Sequence, residues 1–170
     1  MEKKIIEWFG IEAELGTAKT YPGWPFQVWC TMVEKKVKSF LDEVRAKSTP
    51  SDEYNEVMKK AEEIRSKYCE KNESGEPILE DSPEGKRYTF SETNKKAFDK
   101  AIEKLNKDSE EIVKAHVDMM NKYIEYVTND VLDIDIKLLN SKNIPEEYFK
   151  EHPDKSLSFL NSCLDLVNME

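Results

Sequence analysis

The chain reads as an α-dominant α+β protein: a helical bundle of four to five helices carrying a small two- to three-stranded antiparallel sheet. Three observations lead there. All five glycines (Gly10, Gly16, Gly23, Gly75, Gly85) lie in the first half, and no residue between 86 and 144 is Gly or Pro. Glycine permits positive φ, and proline fixes φ and removes a donor. A long stretch without either, rich in Lys, Glu, Ala and Leu, therefore favours helix. Second, apolar residues recur at three- and four-residue spacing through most of the chain. Third, residues 131–138 alternate apolar and charged side chains, the period of a strand with one wet face.

Residues 1–25 form an aromatic-rich N-terminal segment expected to pack on a single helical α+β domain spanning 26–170. All three tryptophans (Trp8, Trp24, Trp29) fall in the first 29 residues. A short helix is expected near residues 3–9, with the glycines at 10 and 16 leaving the rest irregular. Tyr21-Pro22-Gly23-Trp24-Pro25-Phe26 reads as a turn, with Pro25 at the start of a helix where its missing N–H costs nothing.

From 26 to 47 the stripe is Phe26, Trp29, Met32, Val33, Val37, Phe40, Leu41 and Val44. Ser48-Thr49-Pro50 ends that helix, and Ser51 with Asp52 and Glu53 caps the next, whose stripe is Tyr54, Val57, Met58, Ala61, Ile64 and Tyr68. The short link predicts an antiparallel helix hairpin. Residues 77–80 and 86–90 are expected to form a β-hairpin. Ser91 caps a helix with Ala97, Phe98, Ala101, Ile102 and Leu105 inward, and the stripe resumes with Ile112, Val113, His116, Met120, Tyr123, Ile124 and Val127. Asp108-Ser109-Glu110-Glu111 fits either a fresh cap or an exposed turn of one long helix across 91–127. The alternating strand needs a partner for its backbone groups, and the 77–90 hairpin is the expected one. After a turn at Pro145, a last helix from about Asp154 is expected to turn Leu157, Leu160, Cys163, Leu164 and Val167 inward.

Composition excludes several chemistries. The 170 residues are 38% hydrophobic and 36% charged, with formal charge −9. Acid of this excess, interleaved with Lys, suits a solvated surface and not a phosphate backbone, so no nucleic-acid partner is expected. The N-terminal residues lack a secretory signal, and no run approaches the ~20 apolar residues that span a bilayer, so a cytoplasmic chain without a membrane partner is expected. Cys30, Cys69 and Cys163 are odd in number and widely spaced, which suggests reduced, buried thiols without a nucleophile's local signature. No nucleotide-binding glycine motif occurs, and no cofactor is expected.

The helix end Tyr68-Cys69-Glu70-Lys71-Asn72-Glu73-Ser74-Gly75-Glu76-Pro77-Ile78 leads into Tyr88-Thr89-Phe90 and then a helix from Ala97-Phe98 to Leu105. The alternating strand and an Ile144-Pro145 turn follow. In this order the chain resembles small uncharacterised proteins of tailed bacteriophages of Gram-positive bacteria, over roughly residues 55–148. The resemblance implies a phage origin and, for such a chain, the host cytoplasm. It brings no activity and no functional residue.

Each candidate residue carries a plain structural alternative. His116 lies on an apolar helix face with no carboxylate or second histidine at ligand spacing, so a satisfied core histidine is expected; His152 is expected on a surface loop. Asp133, Asp135 and Lys137 resemble the acidic-x-Lys element of metal-dependent nucleases, because residues two apart on a strand share a face. That chemistry also needs a mixed central sheet with a second acidic strand. The alternative is the wet face of a strand. Tyr21, Trp24, Phe26 and Trp29 either plug one end of the bundle or act as exposed anchors for a protein partner. The expected function is a non-catalytic protein-binding module, an inhibitor of a host defence protein being the form that suits an acidic phage chain. A homo-oligomeric assembly protein and the nuclease are the alternatives.

Overall fold

The computed structural model describes residues 1–83, 85–151 and 153–168. It is α-dominant, with 67% helix, seven α-helices among the described residues and small two-stranded sheets. The elements run β1 (Glu2–Lys4), α1 (Ile5–Ala18), α2 (Phe26–Ala46), α3 (Asp52–Tyr68), β2 (Leu79–Ser82), β3 (Gly85–Tyr88), α4 (Glu92–Asp108), α5 (Glu110–Asn129), β4 (Val131–Asp133), β5 (Leu139–Asn140), α6 (Glu146–Glu151), α7 (Pro153–Cys163) and β6 (Val167–Asn168). Contacts divide the chain into two compact units: Met1–Thr49 with Asn121–Glu170, and Pro50–Met120.

The first unit holds the main core. Its helix α1 runs fourteen residues through Gly10 and Gly16, where the sequence suggests irregular chain. Burial explains the difference. Ile5, Trp8, Ile11, Leu15 and Ala18 make one inward stripe, and burying side chains of this size is worth about 1.5–3 kcal/mol each. A helical glycine costs only about 1 kcal/mol. The Glu7 carboxylate accepts the Lys4 backbone N–H at 2.8 Å and closes the helix start. Gly16 sits where α1 and α2 approach, its absent Cβ only 3.4 Å from Glu34 Oε1. Lys19 grips Glu34 at 2.6 Å, and Arg45 holds Glu12, so ion pairs near both ends of the contact set the helices antiparallel.

On α2 the buried residues are Phe26, Cys30, Val33, Val37, Leu41 and Val44. Phe26, Val33, Val37, Leu41 and Val44 are inward as the spacing predicts, but Met32 and Phe40 face out. Adjacent residues lie about 100° apart around a helix, and here Val33 and Leu41 take the covered side while Met32 and Phe40 fall at the edge of the apolar face. Around Phe26 an aromatic cluster forms: Tyr148 and Phe159 lie 5.3 and 5.6 Å away, and Tyr21 sits 5.2 Å from Tyr148. On α7 the inward residues are Phe159 and Cys163, followed by Leu166 and Val167, while Leu157 and Leu164 are exposed. Cys163 and Val167 are inward as expected, while Leu157 and Leu164 give way to Phe159 and Leu166, the ring of Phe159 joining the aromatic cluster.

Strand β4 does not join the hairpin. It pairs antiparallel with β1, Lys3 opposite Leu132, so the expected three-stranded sheet is instead separate two-stranded pairs. The chain start supplies the backbone partner. Past β4 the alternation persists without a sheet: Ile134 is buried, Ile136 half-buried, Asp135 and Lys137 exposed. At Leu138-Leu139 the phase breaks, and β5 then pairs in parallel with β6.

In the second unit, Ser51 Oγ accepts the Tyr54 N–H at 3.2 Å and Ser91 Oγ accepts the Asn94 N–H at 3.3 Å, capping α3 and α4 as the sequence suggests. Ser109 separates α4 from α5: its N–H bonds to Leu105 and its carbonyl accepts from Val113, so 91–127 is two helices. The β2–β3 hairpin sets Glu80 opposite Arg87 and Asp81 opposite Lys86, a register favoured by opposite charges. Few side chains are fully buried here; Val57, Ala61 and Cys69 are the apolar ones among the described residues of this unit. No helix among the described residues is long and apolar enough to cross a membrane.

Candidate functional site: an apolar groove beside Trp29

The outer face of α2 and the extended segment after β4 enclose a groove of about 440 Å³ in the first unit. Val28, Trp29 and Met32 line it from the helix, and Ile136 and Leu138 from the segment, over a floor of buried Val33 and Leu139. Trp29 fixes the two walls together. Its indole N–H donates to the Lys137 carbonyl at 2.7 Å. Met32 is 67% exposed and Leu138 44% exposed, so the walls present apolar surface to water. Charges mark the rim: Lys36 lies 3.7 Å from Asp135, a solvated pair worth little to stability.

The four aromatic candidates part company. Phe26 is fully buried and Tyr21 nearly so, both in the cluster around Tyr148. Neither offers surface to a partner, which corrects their place among the anchors: the cluster absorbs their rings as filling. Trp29 is half-buried as a groove wall. Trp24, 77% exposed in the turn before α2, is the most exposed large apolar side chain described. The groove residues that sequence reasoning missed are Met32, Leu138, Val28 and Ile136. For Met32 and Leu138 the chain carries a signal, the adjacent apolar pairs Met32-Val33 and Leu138-Leu139, which offer more apolar surface than one core face takes up; Val28 and Ile136 have no such mark.

Asp133 and Asp135 project outward from β4 and the segment after it, Asp135 fully exposed. Strand β4 belongs to a two-stranded pair and not to a mixed central sheet. Glu2 lies opposite Asp133, yet among the described residues no three His, Cys, Asp or Glu side chains gather as a metal site. Lys137 serves through its backbone carbonyl and not its amine. Strand β1 thus brings one acid, Glu2, opposite Asp133, but the pair is part of no larger mixed sheet among the described residues.

Burial pushes the thiols of Cys30 and Cys163 up to about 12, so both stay neutral at physiological pH. Cys69, also buried, donates its S–H to the Ser66 carbonyl at 3.4 Å. Burial likewise raises the Tyr148 phenol to about 12. His116 stacks on Tyr54 at 3.6 Å, but its Nδ1 is sealed from solvent without a hydrogen-bond partner among the described residues. It is therefore not the satisfied histidine the sequence suggests. His152 lies outside the described residues.

Fold and groove together define an α-dominant α+β protein that carries an apolar surface groove. No protein-family model matches the chain, and no solved structure matches it. The chain is similar to the dynein heavy chain-like protein 1 of Plasmodium falciparum (isolate 3D7), 32% identical over 117 residues. That match covers 68% of this chain and 2% of the Plasmodium protein.

Proposed function

We propose that the chain is a non-catalytic protein-binding module, encoded by a tailed bacteriophage of a Gram-positive host, that acts by occupying the surface of a host or phage protein. Inhibition of a host defence protein is the role that fits an acidic chain competing for a basic substrate-binding surface. The groove beside Trp29 is the observation that supports this reading. It combines a fixed tryptophan, exposed methionine and leucine walls and a polar rim, the composition of an interface core. Exposed Trp24 supplies a second anchor. The likeness to the Plasmodium protein spans so little of that protein that no activity is carried over from it.

Affinity capture from host lysate, read by mass spectrometry, tests the proposal. The parent chain should capture one host protein, and Met32→Lys with Leu138→Lys should abolish that capture while far-UV circular dichroism stays unchanged. Trp24→Ala should weaken it. Elution well above 19.9 kDa, reversed by the same groove variants, would instead assign the groove to a second copy of the chain. Capture unaffected by all three substitutions would sink the assignment of this surface.

A further inference from the structure

Strand β4 has one open edge, and the continuation of that edge borders the groove beside Trp29. Pairing with β1 fixes which backbone groups are used. The Ile134 N–H donates to the Met1 carbonyl at 3.0 Å, and the Met1 amino group donates to the Ile134 carbonyl at 2.9 Å. Lys3 stands opposite Leu132, and the Asp130 carbonyl accepts from Ile5 at 3.0 Å. Asp130, Leu132 and Ile134 thus turn their backbone groups toward β1, and an extended chain turns those of the alternate residues the other way. Asp133, Asp135 and Lys137 fall on that other side, all three exposed. The Trp29 indole N–H reaches the Lys137 carbonyl there. Among the described residues, nothing takes the backbone N–H of Asp133, Asp135 or Lys137, or the carbonyl of Asp133 or Asp135.

This wall of the groove is therefore not only apolar. Any partner seated against it takes water from those backbone groups, and a buried N–H or C=O left without a new partner is costly. A helix keeps its main-chain bonds to itself and restores none of them, whereas an extended chain restores them in a row. We propose, resting on the reading of this groove as the partner surface, that it takes an extended segment of a partner protein, which adds a strand to the open edge of β4 and its continuation through Lys137. Alternate side chains of that segment would be apolar and lie against Met32, Ile136 and Leu138, while its main chain exchanges bonds with Asp133 and Asp135. A second copy of this chain fits less well. Antiparallel pairing of two such edges about Asp133, Ile134 or Asp135 sets aspartate opposite aspartate, in chains that each carry nine excess negative charges.

Fluorescence anisotropy with a labelled, end-capped Lys-Thr-Val-Thr-Val-Thr-Val-Lys peptide tests this on the whole chain. Saturable binding is expected, and Met32→Lys with Leu138→Lys should abolish it while far-UV circular dichroism stays unchanged. Two N-methylated forms of the peptide separate a strand from any other occupant. Methylating the valine nitrogens blocks one edge of the peptide, and methylating the threonine nitrogens blocks the other. One form should bind about tenfold or more weakly and the other should bind as before. Amide hydrogen exchange gives a readout that needs no variant. The N–H groups of Asp133 and Asp135 should exchange about tenfold or more slowly with peptide bound, while Ile134, already bonded to Met1, should change little. No saturable binding up to about 1 mM peptide, equal binding of both methylated forms, or elution of the parent well above 19.9 kDa that the groove substitutions reverse would each overturn the added strand. Host-protein capture still lost with the same groove substitutions would then keep the groove as the partner surface. Capture and peptide binding both indifferent to them would sink both assignments.

Discussion

The indole N–H of Trp29 donates to the backbone carbonyl of Lys137 at 2.7 Å. Trp8 makes the matching bond one stretch earlier, to the Leu132 carbonyl at 2.9 Å. Two tryptophans from separate helices thus take carbonyls of the extended segment that follows α5. The two bonds differ in surroundings, since Trp8 is fully buried and Trp29 is half-buried. Trp8→Phe should cost about 1–3 kcal/mol for the orphaned carbonyl in addition to lost packing, and Trp29→Phe about 1 kcal/mol or less. Urea denaturation midpoints check this, and equal losses would show that burial does not set the difference.

Glycine to alanine should act with opposite signs at two positions. A Cβ on Gly10, exposed on α1, meets nothing within 4 Å. Gly10→Ala should therefore stabilise by about 0.5–1 kcal/mol, through helix propensity. A Cβ on Gly23 would stand 2.7 Å from Pro145 Cγ, where φ is +157°. Gly23→Ala should destabilise by about 1–3 kcal/mol, the range for overpacking. Adding Pro145→Ala should recover part of that loss, a coupling that a double-mutant cycle measures directly.

Stability should fall in alkali. Cys30 and Cys163 ionise near their ordinary 9.0 when unfolded but at about 12 when folded, because burial penalises the thiolate. The stabilisation linked to these raised values is whole below pH 9.0 and is lost as pH rises from there toward about 12. Each thiol contributes at most about 1.4 kcal/mol per pH unit in that window. Tyr148 adds to the decline above its ordinary 10.0. Urea midpoints across the alkaline range give the slope, and Cys163→Ala should make it shallower. A midpoint flat with pH would mean that the thiols reach water in the native state.

His116→Phe should raise stability by about 1 kcal/mol. The substitution keeps a flat ring against Tyr54 and removes the Nδ1 atom that has no partner among the described residues. A thermal midpoint that drops instead would show that this nitrogen holds a hydrogen bond in solution.

Much of the local structure is legible in the residues. Ser51 and Ser91 announce helix starts through their caps, and the spacing of Val33, Val37, Leu41 and Val44 marks the buried face of α2. The opposed charges of Glu80-Asp81 and Lys86-Arg87 match the hairpin register. Helix α1 is less legible, since two glycines lower its intrinsic helicity while its stability comes from the core that forms around Trp8. The groove beside Trp29 was half visible. Trp29 stood out as an aromatic candidate, but Met32 and Leu138 read as inward residues because periodicity places an apolar side chain on a face without saying whether that face is covered.

Apart from α1, order along the chain sets which segments are helical, which alternate, and which carry charge, because those are short-range preferences of backbone and side chain. Partnership is a different matter. That β4 pairs with β1 and not with the hairpin, that Phe26 is filling while Trp24 stands in water, and that Trp29 pins Lys137, all depend on contacts between residues more than a hundred apart or on the space left when helices pack. Such contacts are chosen by how volumes and unpaired backbone groups are satisfied together in three dimensions, and no local pattern encodes that choice.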